Sequence, residues 1–362
     1  MPIALLTTYL SEYRLPLYRL LAQRHPIEVL CYGGGERYVP AWFADLDAQL
    51  AAADFPARRL DGLAEALRIG REHQAVIAPF AGGLLLPAAY AGARRDRRPF
   101  VFWASIWHQP RSVVHALALP VSRHIYRHAD AVIAYGEHAR RFVGRVRGHD
   151  DDIFVAPQSV EPELFARDVT RAEVADLRTE FSLGEGPLVL YAGRLVADKG
   201  IEVLARAWPQ VSEPATLVFA GEGPLTDLAA ALPRARVIGA LRRERLPIAY
   251  AAADFAALPS IPTPRFKEPW GLVCNEAMHQ GRPVVATTAV GAAAGGLVRD
   301  NETGLVVPPK DPAALAGAIN RLLADTALRE RLGVAARQAV AGYTYEAMAD
   351  AFDRALAKAG VG

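Results

Sequence analysis

The chain has 362 residues, of which 52% are hydrophobic, 8% aromatic and 22% charged; that composition is globular, excludes a largely disordered protein and suits about two domains. Its 41 Lys and Arg nearly balance 39 Asp and Glu, so wholesale electrostatic capture of nucleic acid is not expected. The 29 glycines and 26 prolines are spread along the chain, which excludes collagen-like and low-complexity readings.

Short apolar runs alternate with helical patterns throughout. Strands are predicted at Pro2–Thr7 and Ile27–Tyr32, on either side of a helix over Leu15–Arg24. The longest uncharged run, Ala75 to Ala93, is interrupted by Pro79, Gly82, Gly83, Pro87 and Gly92. It reads as a strand, a loop and a short buried helix rather than a membrane span. Strands follow at Phe100–Ala104, Ala131–Ala134 and Ile153–Ala156, with helices at Ser112–Arg127 and Glu137–Arg147. A linker-like stretch from Pro157 to Pro187 encloses a polar helical segment. The alternation then restarts, with strands at Leu188–Ala192, Thr216–Ala220, Arg236–Ile238, Phe255–Leu258, Pro283–Ala286 and Gly304–Val307. Helices between them include Gly200–Ala207, Pro247–Ala252 and Gly271–Gln280, and a last helix covers Tyr345–Ala359.

Such alternation predicts parallel sheets covered on both faces. The expected architecture is α/β, two Rossmann-like doubly wound domains over 1–170 and 186–342, with a C-terminal segment, 343–362, free to cross back to the first domain. Open sheets of this kind bind ligands beyond the carboxyl ends of their strands. Two of them facing each other would enclose a cleft, so the post-strand loops are where chemistry is sought. Cys31 and Cys274 are too few for a disulfide framework and lie in apolar segments, and the N-terminus has neither a basic n-region nor a cleavage site. Both features predict a cytoplasmic protein without a signal peptide.

The densest chemical signal is Glu268-Pro269-Trp270-Gly271-Leu272-Val273-Cys274-Asn275-Glu276. Pro269 suits a helix start, while Gly281 and Pro283 suit its end. A helix beginning near Gly271 offers free N–H groups and its dipole to a phosphate. Glu276, roughly 8 Å further along, could accept hydrogen bonds from ribose hydroxyls, and Glu268 from a group beyond the phosphates. Spacing alone fits two solvated glutamates equally well. The second signal, Tyr191-Ala192-Gly193-Arg194-Leu195-Val196-Ala197-Asp198-Lys199-Gly200, brings Arg194 and Lys199 to a strand–helix loop suited to phosphate, unless they are ordinary surface charge. Third, Trp103-Ala104-Ser105-Ile106-Trp107-His108 places a histidine and two tryptophans after a strand, where His108 is either ligand-facing or structural.

Other patterns carry less. Asp45-Leu46-Asp47 has a metal–nucleotide form but no preceding strand. Asp150-Asp151-Asp152 reads as a solvated turn. His124 and His128 lack a third ligand. Gly33-Gly34-Gly35 lacks dinucleotide spacing. The arginines at 94, 95, 97, 98, 123, 127, 140, 141, 145 and 147 form either a solvated face or a site for anionic lipid or acceptor.

The second half resembles the donor domain of retaining glycosyltransferases of family 4, which have the GT-B fold. The resemblance is carried by Glu268 and Glu276, by the Gly193, Arg194, Lys199, Gly200 loop, and by the Gly221-Glu222-Gly223-Pro224 turn. The segments Ala251–Ser260 and Asn301–Pro308 add to it, and it covers about residues 186–325 well. It implies a nucleotide-diphosphate sugar donor, with Arg194 and Lys199 on the diphosphate. It places Gly193, Trp270, Gly271, Leu272 and Val273 along the donor, Glu268 on the donor sugar and Glu276 on the ribose. His108 is similar in placement to the family's histidine near the donor sugar. The family's Gly-Gly loop after the first strand is absent; Tyr9, Tyr13 and Arg14 stand there instead and, with Trp107, are assigned to the acceptor side.

The resemblance implies hexosyl transfer with retention to a glycan, lipid-linked or small-molecule acceptor. No metal and no cofactor beyond the nucleotide sugar are expected. Peripheral contact with the inner face of the membrane is an expectation from the basic first half. Alternatives are a GT-B-like epimerase or phosphorylase and a non-catalytic nucleotide-sugar-binding protein.

Overall fold

A computed structural model describes residues 1–33, 45–80, 83–212 and 214–362. The chain forms two units, Met1–Gln158 with Tyr345–Gly362, and Ser159–Thr344.

The first unit is built on seven strands: β1 (Ile3–Thr7), β2 (Ile27–Cys31), β3 (Ala57–Arg59), β4 (Ala75–Pro79), β5 (Phe100–Ala104), β6 (Ala131–Ala134) and β7 (Ile153–Val155). They lie in the order β3-β2-β1-β4-β5-β6-β7, every neighbour parallel. Strand alternation divides the core. Ile3, Leu5, Val101 and Trp103 enter one apolar cluster, while Ala4, Leu6, Phe100 and Phe102 enter the other, as a period of two requires. β3 escapes sequence reasoning because Ala57-Arg58-Arg59 has no apolar run. It is an edge strand held by β2, and its arginines pair with Glu28, Glu65 and Asp47.

The helix Tyr345–Lys358 belongs to the first unit. It buries Met348, Phe352, Ala355 and Leu356 in the cluster containing Ile3 and Leu5. Its Asp350 and Asp353 meet Arg24 at 2.7 and 2.6 Å. Those pairs are partly solvated, so the buried apolar face carries most of the attachment.

The units divide earlier than residue 170, because the segment after Ser159 is tied into the second unit. Gln280 Nε2 donates to the carbonyls of Phe165 and Arg167 at 2.6 and 2.9 Å. Phe165 is buried, and Arg243 pairs with Glu161 at 2.9 Å. The helix Arg171–Glu180 opens on a Thr170–Glu173 capping box. From it Arg178 donates to the carbonyls of Gly184, Gly186 and Ala252.

The second unit has six strands: β8 (Leu188–Ala192), β9 (Thr216–Ala220), β10 (Ala235–Val237), β11 (Phe255–Leu258), β12 (Val284–Thr287) and β13 (Gly304–Val307). Their order is β10-β9-β8-β11-β12-β13, again all parallel. β8 is buried along its whole length, which explains its unbroken apolar sequence. The winding direction reverses between β8 and β11, and in the first unit between β1 and β4. Those reversals leave a crevice at the carboxyl ends of the strands.

Among the described residues no helix is long and apolar enough to cross a membrane. Cys31 and Cys274 are buried free thiols. Burial pushes Cys31 up to about 12 and raises Cys274 as well, so neither is a reactive thiolate.

One buried histidine has a pH consequence. Burial, reinforced by the charge of Arg337, lowers His279 to about 4. An unfolded histidine titrates near 6.5, so between those values the unfolded chain binds a proton that the fold refuses. His279 therefore costs nothing above pH 6.5, and on acidification its contribution falls by up to about 3 kcal/mol near pH 4. In melting curves recorded across this window, His279→Gln is expected to flatten the acid limb. A profile identical to wild type contradicts the assignment.

Candidate active site

β8 and β11 end side by side where the second sheet reverses. Leaving β8, the chain runs through Gly193 and Arg194 into a 3-10 turn, Ala197–Lys199, and the helix Ile201–Ala207. Leaving β11 it runs through Pro259, Ser260 and Ile261. The two loops are joined: the Ile261 N–H donates to the Asp198 carbonyl at 2.9 Å. Gly200 has φ +75° and lies where a Cβ would come within 2.0 Å of the Pro259 carbonyl oxygen. Glycine meets both demands, left-handed backbone and close approach.

This junction brings Lys199 to Glu268. The ammonium pairs with Glu268 Oε2, and the same oxygen accepts a hydrogen bond from Ser260 Oγ at 3.0 Å. The Lys199 and Glu268 side chains are only 15% and 8% exposed, so the pair is almost dry. Two residues separated by a long stretch of chain thus form one charged unit at the switch point. Arg194 is placed differently. Its carbonyl accepts from the Tyr191 hydroxyl at 2.7 Å, which braces the loop. Its half-buried guanidinium makes no ion pair among the described residues. The turn after β9 supports the loop from the other side, with Leu195 N–H donating to the Glu222 carbonyl at 2.9 Å.

The helix expected from Gly271 starts later, at Val273, and ends at His279. Gly271 has φ +96°, and a Cβ there would meet Leu258 Cδ2 at 2.7 Å. The left-handed turn is thus needed for close packing over β11, and it delays the helix. Of the N–H groups at that helix start, those of Cys274 and Glu276 donate to the Gly271 and Leu272 carbonyls at 2.9 and 3.0 Å; those of Leu272 and Val273 have no acceptor within the helix. Glu276 lies on the helix, where the Tyr250 hydroxyl donates to Oε2 at 2.6 Å. Burial raises the Glu276 carboxyl, opposed by that hydrogen bond and by the charge of Arg243.

Trp270, expected along the donor, is 4% exposed. Its indole N–H donates to Asn275 Oδ1 at 2.7 Å and its ring lies 5.7 Å from that of Tyr343. The side chain is a packing element beneath the turn, and only its backbone can serve a ligand.

The acceptor-side candidates and His108 belong to the first unit, the donor-loop residues to the second. Arg14 needs correction: it is 6% exposed. Its guanidinium lies 5.2, 4.9 and 5.0 Å from the rings of Tyr13, Trp103 and Tyr135, and donates to Gln158 Oε1 at 2.5 Å. Arg14 is a caged internal cation rather than an acceptor contact. Tyr13 is exposed, whereas Tyr9, Trp107 and His108 are half-buried. The Trp107 ring stands edge-on to His138 at 5.0 Å.

The weaker patterns resolve into structure. Asp45 caps a helix by accepting from Ala48 N–H at 2.9 Å, and Asp47 pairs with Arg59. Asp152 is not solvated; it is buried against Arg147. His124 and His128 stack at 4.1 Å. Gly34, Gly35 and Gly82 lie outside the described residues.

Sequence reasoning missed the supporting hydroxyls of Tyr191, Tyr250 and Ser260. A signal existed for the tyrosines: each stands in an otherwise apolar element, where a buried hydroxyl needs a partner. Chemically, a free guanidinium and helix N–H groups suit an anionic diphosphate. The carboxylates Glu268 and Glu276 accept from hydroxyls.

Two doubly wound units of this kind are the GT-B fold. Residues 186–325 match the family model described as glycosyl transferases group 1. The chain is 31% identical over 249 residues to an alpha-D-kanosaminyltransferase of Streptomyces kanamyceticus, covering 66% of this chain and 63% of that protein. It is 34% identical over 229 residues to a D-inositol 3-phosphate glycosyltransferase of Xylanimonas cellulosilytica, covering 58% and 52%. The chain thus spans less than two thirds of the length of either relative. Anabaena HepE, solved in complex with UDP, superposes with a TM-score of 0.80 at 20% identity, over 99% of this chain and 100% of that one. At that identity the likeness shows the fold.

Proposed function

We propose that the protein is a retaining glycosyltransferase that moves a hexosyl group from a nucleotide-diphosphate sugar, a UDP- or GDP-sugar, to a hydroxyl of a glycan, glycolipid or secondary metabolite. The observation that carries this reading is the Arg194, Lys199 and Glu268 constellation at the switch point of the second sheet. It lies inside the segment that matches the glycosyl transferases group 1 model. The names of the relatives support glycosyl transfer, and HepE solved with UDP and with UDP-glucose supports a nucleotide-diphosphate sugar as the donor.

In this reading Arg194 and Lys199 neutralise the diphosphate, helped by the N–H groups of Gly271, Leu272 and Val273. Glu268 holds donor-sugar hydroxyls and Glu276 the ribose. The bond from the anomeric carbon to the β-phosphate oxygen breaks as the acceptor oxygen bonds to the same face of that carbon. The acceptor proton passes to the departing phosphate oxygen. Charge grows on the phosphate, where preorganised cations act most strongly. Those cations supply the neutralisation, so we include no metal.

The test is incubation of the full chain with UDP-, GDP-, dTDP- and ADP-sugars and a panel of hydroxyl acceptors. We expect free nucleoside diphosphate together with a glycosylated product that keeps the donor's anomeric configuration. Interconversion of nucleotide sugars, or sugar phosphate released only with added phosphate, would contradict transfer. Binding without turnover across the panel would mark a non-catalytic protein.

A further inference from the structure

The helix Val113–His128 in the first unit presents an apolar face that is exposed among the described residues. Among the described residues, the four most exposed large apolar side chains are Val113 at 78%, Leu117 at 77%, Val114 at 73% and Leu84 at 70%. Three of them lie on this helix, and Val121 continues the row. Val113, Leu117 and Val121 stand four apart and share one face. Ile125 stands four further on in this row and Tyr126 lies on the opposite side; both are buried, so the row passes from solvent into the core towards the end of the helix. The outward face therefore changes character along its length. It is apolar over the first half, then carries exposed His124 and His128, with Arg123 and Arg127 flanking them.

The exposed half is firmly helical at its start. Ser112 Oγ accepts from the His115 N–H at 3.3 Å as a cap. The helix Leu85–Arg95 runs alongside in the same direction, since Tyr90 meets His124 and Arg94 meets Asp130. That pairing sets Leu84, at its N-cap, level with the apolar half.

The charge around this face is one-sided. From residue 73 to residue 129 the sequence has seven arginines and a single carboxylate, Asp96. Asp96 is taken by Arg95 at 2.8 Å. Arg111 and Arg123 are exposed and make no ion pair among the described residues. Projecting apolar side chains beside uncompensated cations match an anionic lipid surface, with aliphatic groups in the acyl boundary and arginines at the headgroups.

We infer that the first half of this helix, with Leu84 and the flanking arginines, is a docking face for an anionic membrane surface. The inference does not rest on glycosyl transfer, because vesicle binding is read without substrate. The test is flotation of the full chain with vesicles of phosphatidylcholine alone, or of phosphatidylcholine with phosphatidylglycerol at about 70:30. Wild type is expected to float with the anionic vesicles and to be released by added salt. Val114→Asp with Leu117→Asp should weaken binding at least about tenfold, with melting temperature unchanged because both side chains are exposed. Arg111→Gln and Arg123→Gln should each weaken it about fivefold. Wild type left in solution, or aspartate variants that bind as tightly, would overturn the inference. So would a dimer abolished by those variants without vesicle binding, which would assign the face to a second copy of this chain.

Discussion

Arg194→Ala is expected to lower kcat with the accepted donor by about 100-fold or more, the scale of losing one charge-stabilising donor. The two cations of the site are not equivalent. Lys199 is already committed to Glu268, and part of its charge is answered there. Arg194 makes no ion pair among the described residues, so its guanidinium is available to the phosphate. Its carbonyl, rather than its side chain, holds the loop through Tyr191, so truncation should leave the fold intact. The effect should appear mainly in kcat, because the interaction strengthens as charge leaves with the phosphate. Steady-state kinetics beside a melting curve separate the two causes. A folded Arg194→Ala protein with wild-type kcat would remove Arg194 from the mechanism.

Lys199→Ala is expected to be the most destabilising single change at the site. It leaves Glu268, 6% exposed, with Ser260 and no ammonium. Removing one partner of a buried pair costs about 3–5 kcal/mol, because the remaining charge has lost both water and counter-ion. For a unit of this size that is a fall in melting temperature of roughly 6 °C or more. Glu268→Ala strands Lys199 in the same way. The double variant, Lys199→Ala with Glu268→Ala, carries neither charge and should melt above either single variant. Strictly additive losses in this cycle would mean that the two groups do not act as a pair. All three variants should lose transfer activity, so the melting temperatures, rather than the rates, decide the point.

Much of the fold was legible because its strands are buried on both faces. β5, β6, β8, β9, β11 and β13 are short apolar runs between turn signals, and their predicted bounds coincide with those observed. β3 was not legible, because two of its three residues are arginines held by local carboxylates. The site's cations and carboxylates were visible as residue types in post-strand loops. Their partners were not, since the Lys199–Glu268 pair forms only once β8 and β11 are neighbours. Sequence position also misled where burial decides. Arg14 and Trp270 stand in loops that suggest ligand contact, yet the fold encloses one in aromatic rings and the other beneath a glycine turn. The start of the helix at Val273 turned on one backbone angle, at Gly271.

Calorimetric titration of the full chain with UDP, GDP, dTDP and ADP tests the donor site at the β8–β11 switch point most directly. We expect saturable binding of one nucleoside diphosphate to wild type and binding at least about tenfold weaker in folded Arg194→Ala, because the free diphosphate already carries the terminal charge that develops as the sugar leaves. Absence of binding by all four, or binding unchanged in Arg194→Ala, would contradict a donor site there.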